Sequence, residues 1–179
     1  NIWLGPNEGG NILFSSNAGT NWVTKPSPNV SSVFNIQFPN ANTGYISGGN
    51  AFQGIGEMSK TTNGGNNWTA LSLPSPLNSS QINGMSFINA NTGWIGSSGG
   101  GLRVTTNGGS SWITQTTTSP YIISIGMVDV SRGFVLGDGL YSTTNSGVSW
   151  VKNTNPYLSS VQFWIEMFVM SKDIVYLCG

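Results

Sequence analysis

Histidine is missing from all 179 residues, and cysteine occurs once. Without an imidazole, these residues cannot build a Ser–His or Cys–His nucleophile or a His-ligated metal site. The single thiol, Cys178, excludes an intramolecular disulfide and an all-cysteine metal site, and reads as a small apolar strand residue. Charge is equally scarce, with 7% of residues charged and six basic groups set against six acidic ones. A chain so balanced offers no electrostatic footprint for nucleic acid. No apolar run approaches the roughly 18 residues a membrane helix needs, so membrane insertion is not expected. No charged-then-apolar leader opens the chain. Sustained 3.6-residue periodicity is also lacking, and helices are expected to be absent or single turns. Neither a cofactor nor a metal is expected.

What the chain has in abundance is Gly, Asn, Ser and Thr, a composition that suits turn-rich β-structure and, by association, an extracellular, cell-surface or periplasmic setting. One octet organises it. Ser15-Ser16-Asn17-Ala18-Gly19-Thr20-Asn21-Trp22 returns as Thr61-Thr62-Asn63-Gly64-Gly65-Asn66-Asn67-Trp68, as Thr105-Thr106-Asn107-Gly108-Gly109-Ser110-Ser111-Trp112 and as Thr143-Thr144-Asn145-Ser146-Gly147-Val148-Ser149-Trp150. Asn and Gly tolerate the positive φ of a tight hairpin, and the Asn side chain can accept backbone N–H groups of its own loop. A Trp opening the next strand can fold back over the turn. The octet therefore reads as a repeated structural clasp.

The four tryptophans stand 46, 44 and 38 residues apart, a period that points to propeller blades. Each repeat has a second hairpin in fixed phase with the clasp. Phe38 to Gly48, Phe87 to Gly96 and Met127 to Gly137 each run from an apolar strand through a polar turn to a Gly-aromatic return. For the middle repeat the strands are expected at 82–87, 93–97, 102–106 and 111–116. The expected fold is all-β, built of four-stranded antiparallel β-propeller blades in about four repeats. The 1–179 chain reads as a single repeat domain with repeats near 1–24, 31–73, 80–117 and 121–154 and a partial one at 159–179. Pro26-Ser27-Pro28, Pro74-Ser75-Pro76 and Asn155-Pro156 mark the crossings, because proline cannot continue a ladder. Chain start and end share one phase of the repeat. This leaves open a shared closing blade or a segment of a larger propeller or array.

The tip pattern Ser/Thr-x-Asn-x-Gly-x-x-Trp resembles the Asp-box, or bacterial neuraminidase repeat, with Asn where Asp is usual in all four copies. With the Gly-aromatic strand some ten residues earlier, the whole chain is similar to the β-propeller family of photosystem II assembly and stability factors. That resemblance implies a structural role for Ser15, Asn17, Gly19 and Trp22, for Thr61, Asn63, Gly65 and Trp68, for Thr105, Asn107, Gly109 and Trp112, and for Thr143, Asn145, Gly147 and Trp150. Sialidases share the box but need three arginines around the substrate carboxylate. Only Arg103 and Arg132 are present.

Function has to come from sites, since propellers host unrelated chemistries. A glycoside hydrolase needs a placed pair of carboxylates. Of Glu8, Glu57, Asp129, Asp138, Glu166 and Asp173, only Glu57 and Asp138 are expected on loops that could share a surface. Asp129 takes the turn position of Asn40 and Asn89, and Asp173 a similar one. Candidate binding residues are Phe52 and Gln53, in the longest excursion between second and third strands, together with Tyr121, Asp138 and Tyr157. Aromatic platforms with amide donors suit peptide or glycan. Trp3, Tyr45, Trp94, Phe134 and Tyr176 recur at one blade position and read as core between blades. Three short Asn-glycosylation patterns begin at Asn29, Asn67 and Asn78. The expected function is a non-enzymatic, extracellular or surface protein-interaction or structural module, one form of which is self-association through blade edges. The alternative is a polysaccharide-binding or hydrolytic propeller whose catalytic residues lie outside this segment.

Overall fold

The computed structural model describes residues 1–5, 11–26, 30–50, 52–159 and 165–179, without the side chains of Tyr157 and Ser159. Glu8, Asn29, Ala51 and the 161–164 part of the final segment lie outside the described residues. Two compact units divide the chain, Asn1–Ile82 and Asn83–Gly179.

In the first unit, β1 (Ile2–Leu4), β2 (Asn11–Ser15) and β3 (Val23–Pro26) form one antiparallel sheet in chain order. A second sheet takes β4 (Val33–Gln37), β5 (Gly44–Asn50), β6 (Ile55–Thr61) and β7 (Thr69–Ala70), also in order. The second unit repeats this plan with β8 (Ile82–Phe87), β9 (Gly93–Ser97), β10 (Leu102–Thr105) and β11 (Ile113–Gln115), then with β12 (Ser124–Met127), β13 (Gly133–Leu136), β14 (Leu140–Thr143) and β15 (Val151–Lys152). A final hairpin pairs β16 (Glu166–Val169) with β17 (Val175–Cys178). These are the short meanders that a period near 40 with two turns per repeat requires. Among the described residues helix is confined to a 3-10 turn at Leu77–Ser79 and one α-turn, α1, at Pro156–Ser159.

The third and fourth strands of the middle repeat are shorter than expected, ending at Thr105 and starting at Ile113. The clasp consumes the difference. Conversely, β5 and β6 run further into their loop than expected, with Gly49 opposite Gly56 and Asn50 opposite Ile55. The excursion around Phe52 is thus a short turn on a long hairpin, and Glu57 is a strand residue within β6.

Register explains the recurrent Gly-aromatic pair. Gly44, Gly93 and Gly133 stand opposite the clasp hydroxyl residues Thr61, Thr105 and Thr143. A Cβ on these glycines would come 2.5 Å from the Phe38 ring, 2.3 Å from the Phe87 ring and 2.2 Å from the Met127 sulfur. Only hydrogen leaves room for the large side chain of the preceding strand to lie across the backbone.

Adjacent sheets then pack through these side chains. In the first unit Trp3 stacks on Phe38, with ring centroids 4.5 Å apart, and meets Trp68 edge-on at 6.5 Å. Ile12, Val30 and Ile46 close this cluster. The second unit places Trp94, Met127 and Trp150 in one cluster with Leu102, Val104, Ile122, Ile125, Val135 and Tyr141. Each such buried side chain contributes about 1.5–3 kcal/mol relative to exposure. The aromatic column behaves as expected at Tyr45 and Trp94, which are buried, and at Trp3 and Phe134, which are half-buried. Tyr176 departs from it at 60% exposure, because among the described residues no sheet covers its face. Cys178 is a strand residue, free and exposed.

Candidate functional site

The clasps are built the same way four times. In each, the first of the two hydroxyl residues donates to the Asn Oδ1 and accepts the Gly N–H four residues on. The donated bonds are 2.9 Å from Ser15, 3.0 Å from Thr61, 3.0 Å from Thr105 and 2.9 Å from Thr143. Those accepted from Gly19, Gly65, Gly109 and Gly147 are 2.8, 3.0, 2.9 and 2.9 Å. Each Asn Oδ1 also takes the backbone N–H of the residue before the Trp, at 2.9 to 3.0 Å. Positive φ falls on the two residues after the Asn, at Ala18 and Gly19, Gly64 and Gly65, Gly108 and Gly109, and Ser146 and Gly147. The Asn itself stays out of that region, contrary to expectation, since its task is to accept bonds from the loop rather than to reverse it.

Asn in place of Asp has a use in two copies. Asn107 Nδ2 donates to Ser111 Oγ at 2.8 Å and Asn145 Nδ2 to Ser149 Oγ at 2.9 Å, bonds for which a carboxylate has no proton. Every clasp of a four-stranded sheet is also tied to the other turn of its own repeat. Gly64 N–H donates to the Asn42 carbonyl, Gly108 to Asn91 and Ser146 to Ser131, at 2.8 to 2.9 Å. In those turns Asn40, Asn89 and Asp129 each accept two backbone N–H groups. Asp129 is therefore a turn former, and these bonds from Ser131 and Arg132 hold its carboxyl below the usual range. The Trp ring covers its own turn at Trp22, near Gly19, whereas Trp68 and Trp150 pack into the clusters between sheets.

Both acids singled out for catalysis are engaged within the structure. Glu57 accepts from Ser31 N–H and, at 3.0 Å, from Ser31 Oγ. Asp138 accepts from Tyr141 Oη at 2.8 Å and Lys152 Nζ at 2.7 Å, while its N–H donates to Ser119 Oγ. Burial pushes the Asp138 carboxyl up, but the hydrogen bonds from Lys152, Tyr141 and Ser119 and the Lys152 charge outweigh it and hold it below the usual range. A carboxyl so placed holds no proton to donate at neutral pH. Glu57 belongs to the first unit and Asp138 to the second.

Of the aromatic candidates, Phe52 is 93% exposed on a turn where Asn50 Oδ1 accepts the N–H groups of Phe52 and Gln53. Tyr121 is 40% exposed, and its carbonyl accepts from the same Ser119 hydroxyl that receives the Asp138 N–H. Tyr121 and Asp138 are thus brought together, while Phe52 and Gln53 sit in the other unit. The Tyr157 side chain lies outside the described residues.

The second unit holds a site that composition and motif did not reveal. A groove of about 460 Å³ opens between the sheet of β8 to β11 and the turns of the next sheet. Trp94, Val104 and residues 113–116 line one side, and Val130 and residues 146–148 the other; no lining residue is charged. Gln115 Nε2 donates to the Ser146 carbonyl at 2.7 Å, which fixes the amide and leaves Oε1 without a partner among the described residues. The Trp94 indole N–H is likewise buried and unpartnered among them, as are the indole N–H groups of Trp68, Trp112 and Trp150, so this state is not peculiar to the groove. Ile113, Val130 and Val148 are 60%, 54% and 79% exposed. The signal was present in the octet, where Val148 replaces Thr20, Asn66 and Ser110.

No protein-family model matches the chain, and no curated protein matches it by sequence. Solved structures do. A structure described as YCF48 bound to D1 peptide is 22% identical with a TM-score of 0.61, over 70% of this chain and 40% of that one. YCF48 from Cyanidioschyzon merolae shares the fold at 15% identity and a TM-score of 0.68, over 93% of this chain and 60% of that one. The GH74 xyloglucanase from Xanthomonas campestris is 16% identical with a TM-score of 0.67, over 86% of this chain and 28% of that one. This chain spans 28 to 60% of the length of these three structures. These neighbours are β-propellers, and the blades described above share their fold.

Proposed function

We propose that this chain is a non-enzymatic β-propeller module that recognises another protein, working outside the cytoplasm. Its clasps are Asp-box-type hairpins in which Asn replaces Asp and serves the scaffold. The observation that carries the reading is the contrast between the acids and the groove. Glu57 and Asp138 are bound to Ser31 and to Tyr141 and Lys152, while an uncharged groove with an exposed aliphatic rim stands open. YCF48, one of the structural neighbours, was captured with a peptide, which supports a protein ligand.

The same likeness extends to a GH74 xyloglucanase, so the polysaccharide reading is the one to exclude by experiment. The purified chain is incubated with xyloglucan and other β-glucans, and new reducing ends are measured. None is expected. Hydrolysis that disappears in the Glu57→Gln, Asp138→Asn double variant would replace this proposal with the hydrolytic one.

Self-association is a specific form of the proposal. Leu4 faces Leu13 across β1 and β2, and Phe168 faces Tyr176 across β16 and β17, with all four exposed. Sedimentation should show mass rising with concentration; a strict monomer at every concentration removes this form.

A further inference from the structure

We infer that Asn63-Gly64 and Asn107-Gly108 are modification sites gated by the fold: the closed clasp holds them back from deamidation, and a clasp that opens converts its Asn to Asp or isoaspartate. Asn followed by Gly is the pair most open to this reaction, because a residue without Cβ neither crowds its own nitrogen nor restricts the backbone. The octet carries that pair twice, at its third and fourth positions. In the reaction the Gly nitrogen loses its proton to water or hydroxide and bonds to the Asn Cγ. The Cγ–Nδ2 bond breaks and ammonia leaves, which gives a succinimide ring. Water then opens the ring at either carbonyl, to Asp or to isoaspartate. Water is the only co-reactant.

Two features of the closed clasp act in opposite directions. Asn107 Oδ1 accepts from Thr105 Oγ1 and Ser111 N–H, and Asn63 Oδ1 from Thr61 Oγ1 and Asn67 N–H. Such donors stabilise the oxyanion that forms on attack. The nucleophile decides the outcome. Gly64 N–H donates to the Asn42 carbonyl and Gly108 N–H to the Asn91 carbonyl, each at 2.8 Å. Gly108 is buried and Gly64 half-buried, so each proton is turned to a carbonyl and away from solvent base. Neither nitrogen can swing onto its Cγ without giving up that bond. At Asn107 the leaving nitrogen is held as well, by its donation to Ser111 Oγ at 2.8 Å.

The first clasp supplies the contrast. Among the described residues Ala18 N–H has no carbonyl partner, and there Ala rather than Gly follows the Asn. Within the octets, Gly follows Asn only where its N–H is tied. Conversion also changes what the clasp can form again. Asp at 107 has no proton for Ser111 Oγ, and isoaspartate adds a methylene to the main chain of a loop closed by bonds across four residues. The modification therefore records opening, one repeat at a time.

The test incubates the full chain at mildly alkaline pH, folded and in urea, and follows each Asn by peptide mapping that separates Asn, Asp and isoaspartate. Asn63 and Asn107 should convert in urea and remain amides in the folded chain. Thr105→Val removes bonds that close the second unit's clasp, so it should speed conversion at Asn107 on the order of tenfold and leave Asn63, in the first unit, unchanged. Ala18→Gly puts the reactive pair into the untied clasp. The φ of Ala18 is 55°, which Gly adopts freely, so this variant folds and keeps the test decisive if Thr105→Val does not. Asn17 should then convert in the folded chain while Asn63 and Asn107 do not. Conversion of Asn63 and Asn107 as fast in the folded chain as in urea overturns the gating. An Asn17 that resists in Ala18→Gly overturns the role given to the tied Gly N–H.

Discussion

Replacing Thr105 by Val tests whether the clasp is held by its first hydroxyl. Thr105 is fully buried, donates to Asn107 Oδ1 at 3.0 Å and accepts Gly109 N–H at 2.9 Å. Valine keeps the shape and deletes these two bonds together with a longer one, 3.3 Å, that the hydroxyl accepts from Asn107 N–H. Stranding the buried Gly109 donor costs about 1–3 kcal/mol, and the lost bond to Asn107 adds about 0.5–1.5 kcal/mol. The added methyl returns up to about 0.8 kcal/mol, so the net loss is about 1–4 kcal/mol. Thr106 is exposed, and Thr106→Val should change stability by less than about 0.5 kcal/mol. Thr105→Ser, which recreates the Ser15 clasp, keeps both bonds and should lose only the methyl contribution. Equilibrium urea unfolding followed by Trp fluorescence reads the difference as a shift in midpoint at constant slope. Should the two units unfold separately, only the transition of the second unit moves. Equal effects at Thr105 and Thr106, or no effect at Thr105, would refute the assignment of the clasp to the buried hydroxyl.

Three further outcomes follow from the same geometry. Gly93→Ala should destabilise by about 1–3 kcal/mol through overpacking against the Phe87 ring, and a Phe87→Leu partner substitution should recover part of the loss in a double-mutant cycle. Burial pushes the Tyr45 phenol up to about 12, from 10.0. A group raised in the folded state stabilises fully below its unfolded value, and that contribution is lost as pH rises through the folded one. Tyr45→Phe should therefore lessen the alkaline loss of stability between these values, as read by unfolding at several pH values. Asp138→Asn should cost about 1 kcal/mol at neutral pH. Its carboxyl is depressed in the fold, so the wild-type advantage is present above about 3.9 and vanishes as pH falls through the folded value; an advantage that persists in acid would contradict the bonding described for Asp138.

Much of this fold was legible because its determinants are local. Hydroxyl, Asn, small residue and Gly fix a loop through bonds no longer than four residues, and each Gly-aromatic pair marks where a strand re-enters. Asp129 could be read as a turn former from its alignment with Asn40 and Asn89, and it makes the same two backbone bonds. What was hidden depends on contacts across repeats. Which of the two hydroxyls is buried follows from strand register, since Thr105 pairs with Gly93 at the end of β10. Likewise, nothing in Gly54-Ile55-Gly56 announces that β5 and β6 stay paired to Asn50 and Ile55, which puts Glu57 in a strand rather than on a loop.

The groove shows where to look in a repeat protein. Selection for the scaffold acts on every copy alike, so residues that serve the scaffold recur, as Gly44, Gly93 and Gly133 do. A site that acts once must break the pattern, and it must do so at several positions that meet in space. Val148 alone is a single apolar substitution in a turn, and Val104 alone is a smaller core residue. Gln115 bonded to the Ser146 carbonyl draws the clasp of one sheet to the outer strand of the sheet before it, and so puts Val104, Ile113, Val130 and Val148 around one opening. Had these departures fallen at unconnected surface positions, ordinary drift in a tolerant repeat would account for them. Their convergence around one uncharged opening is what the protein-recognition proposal draws on.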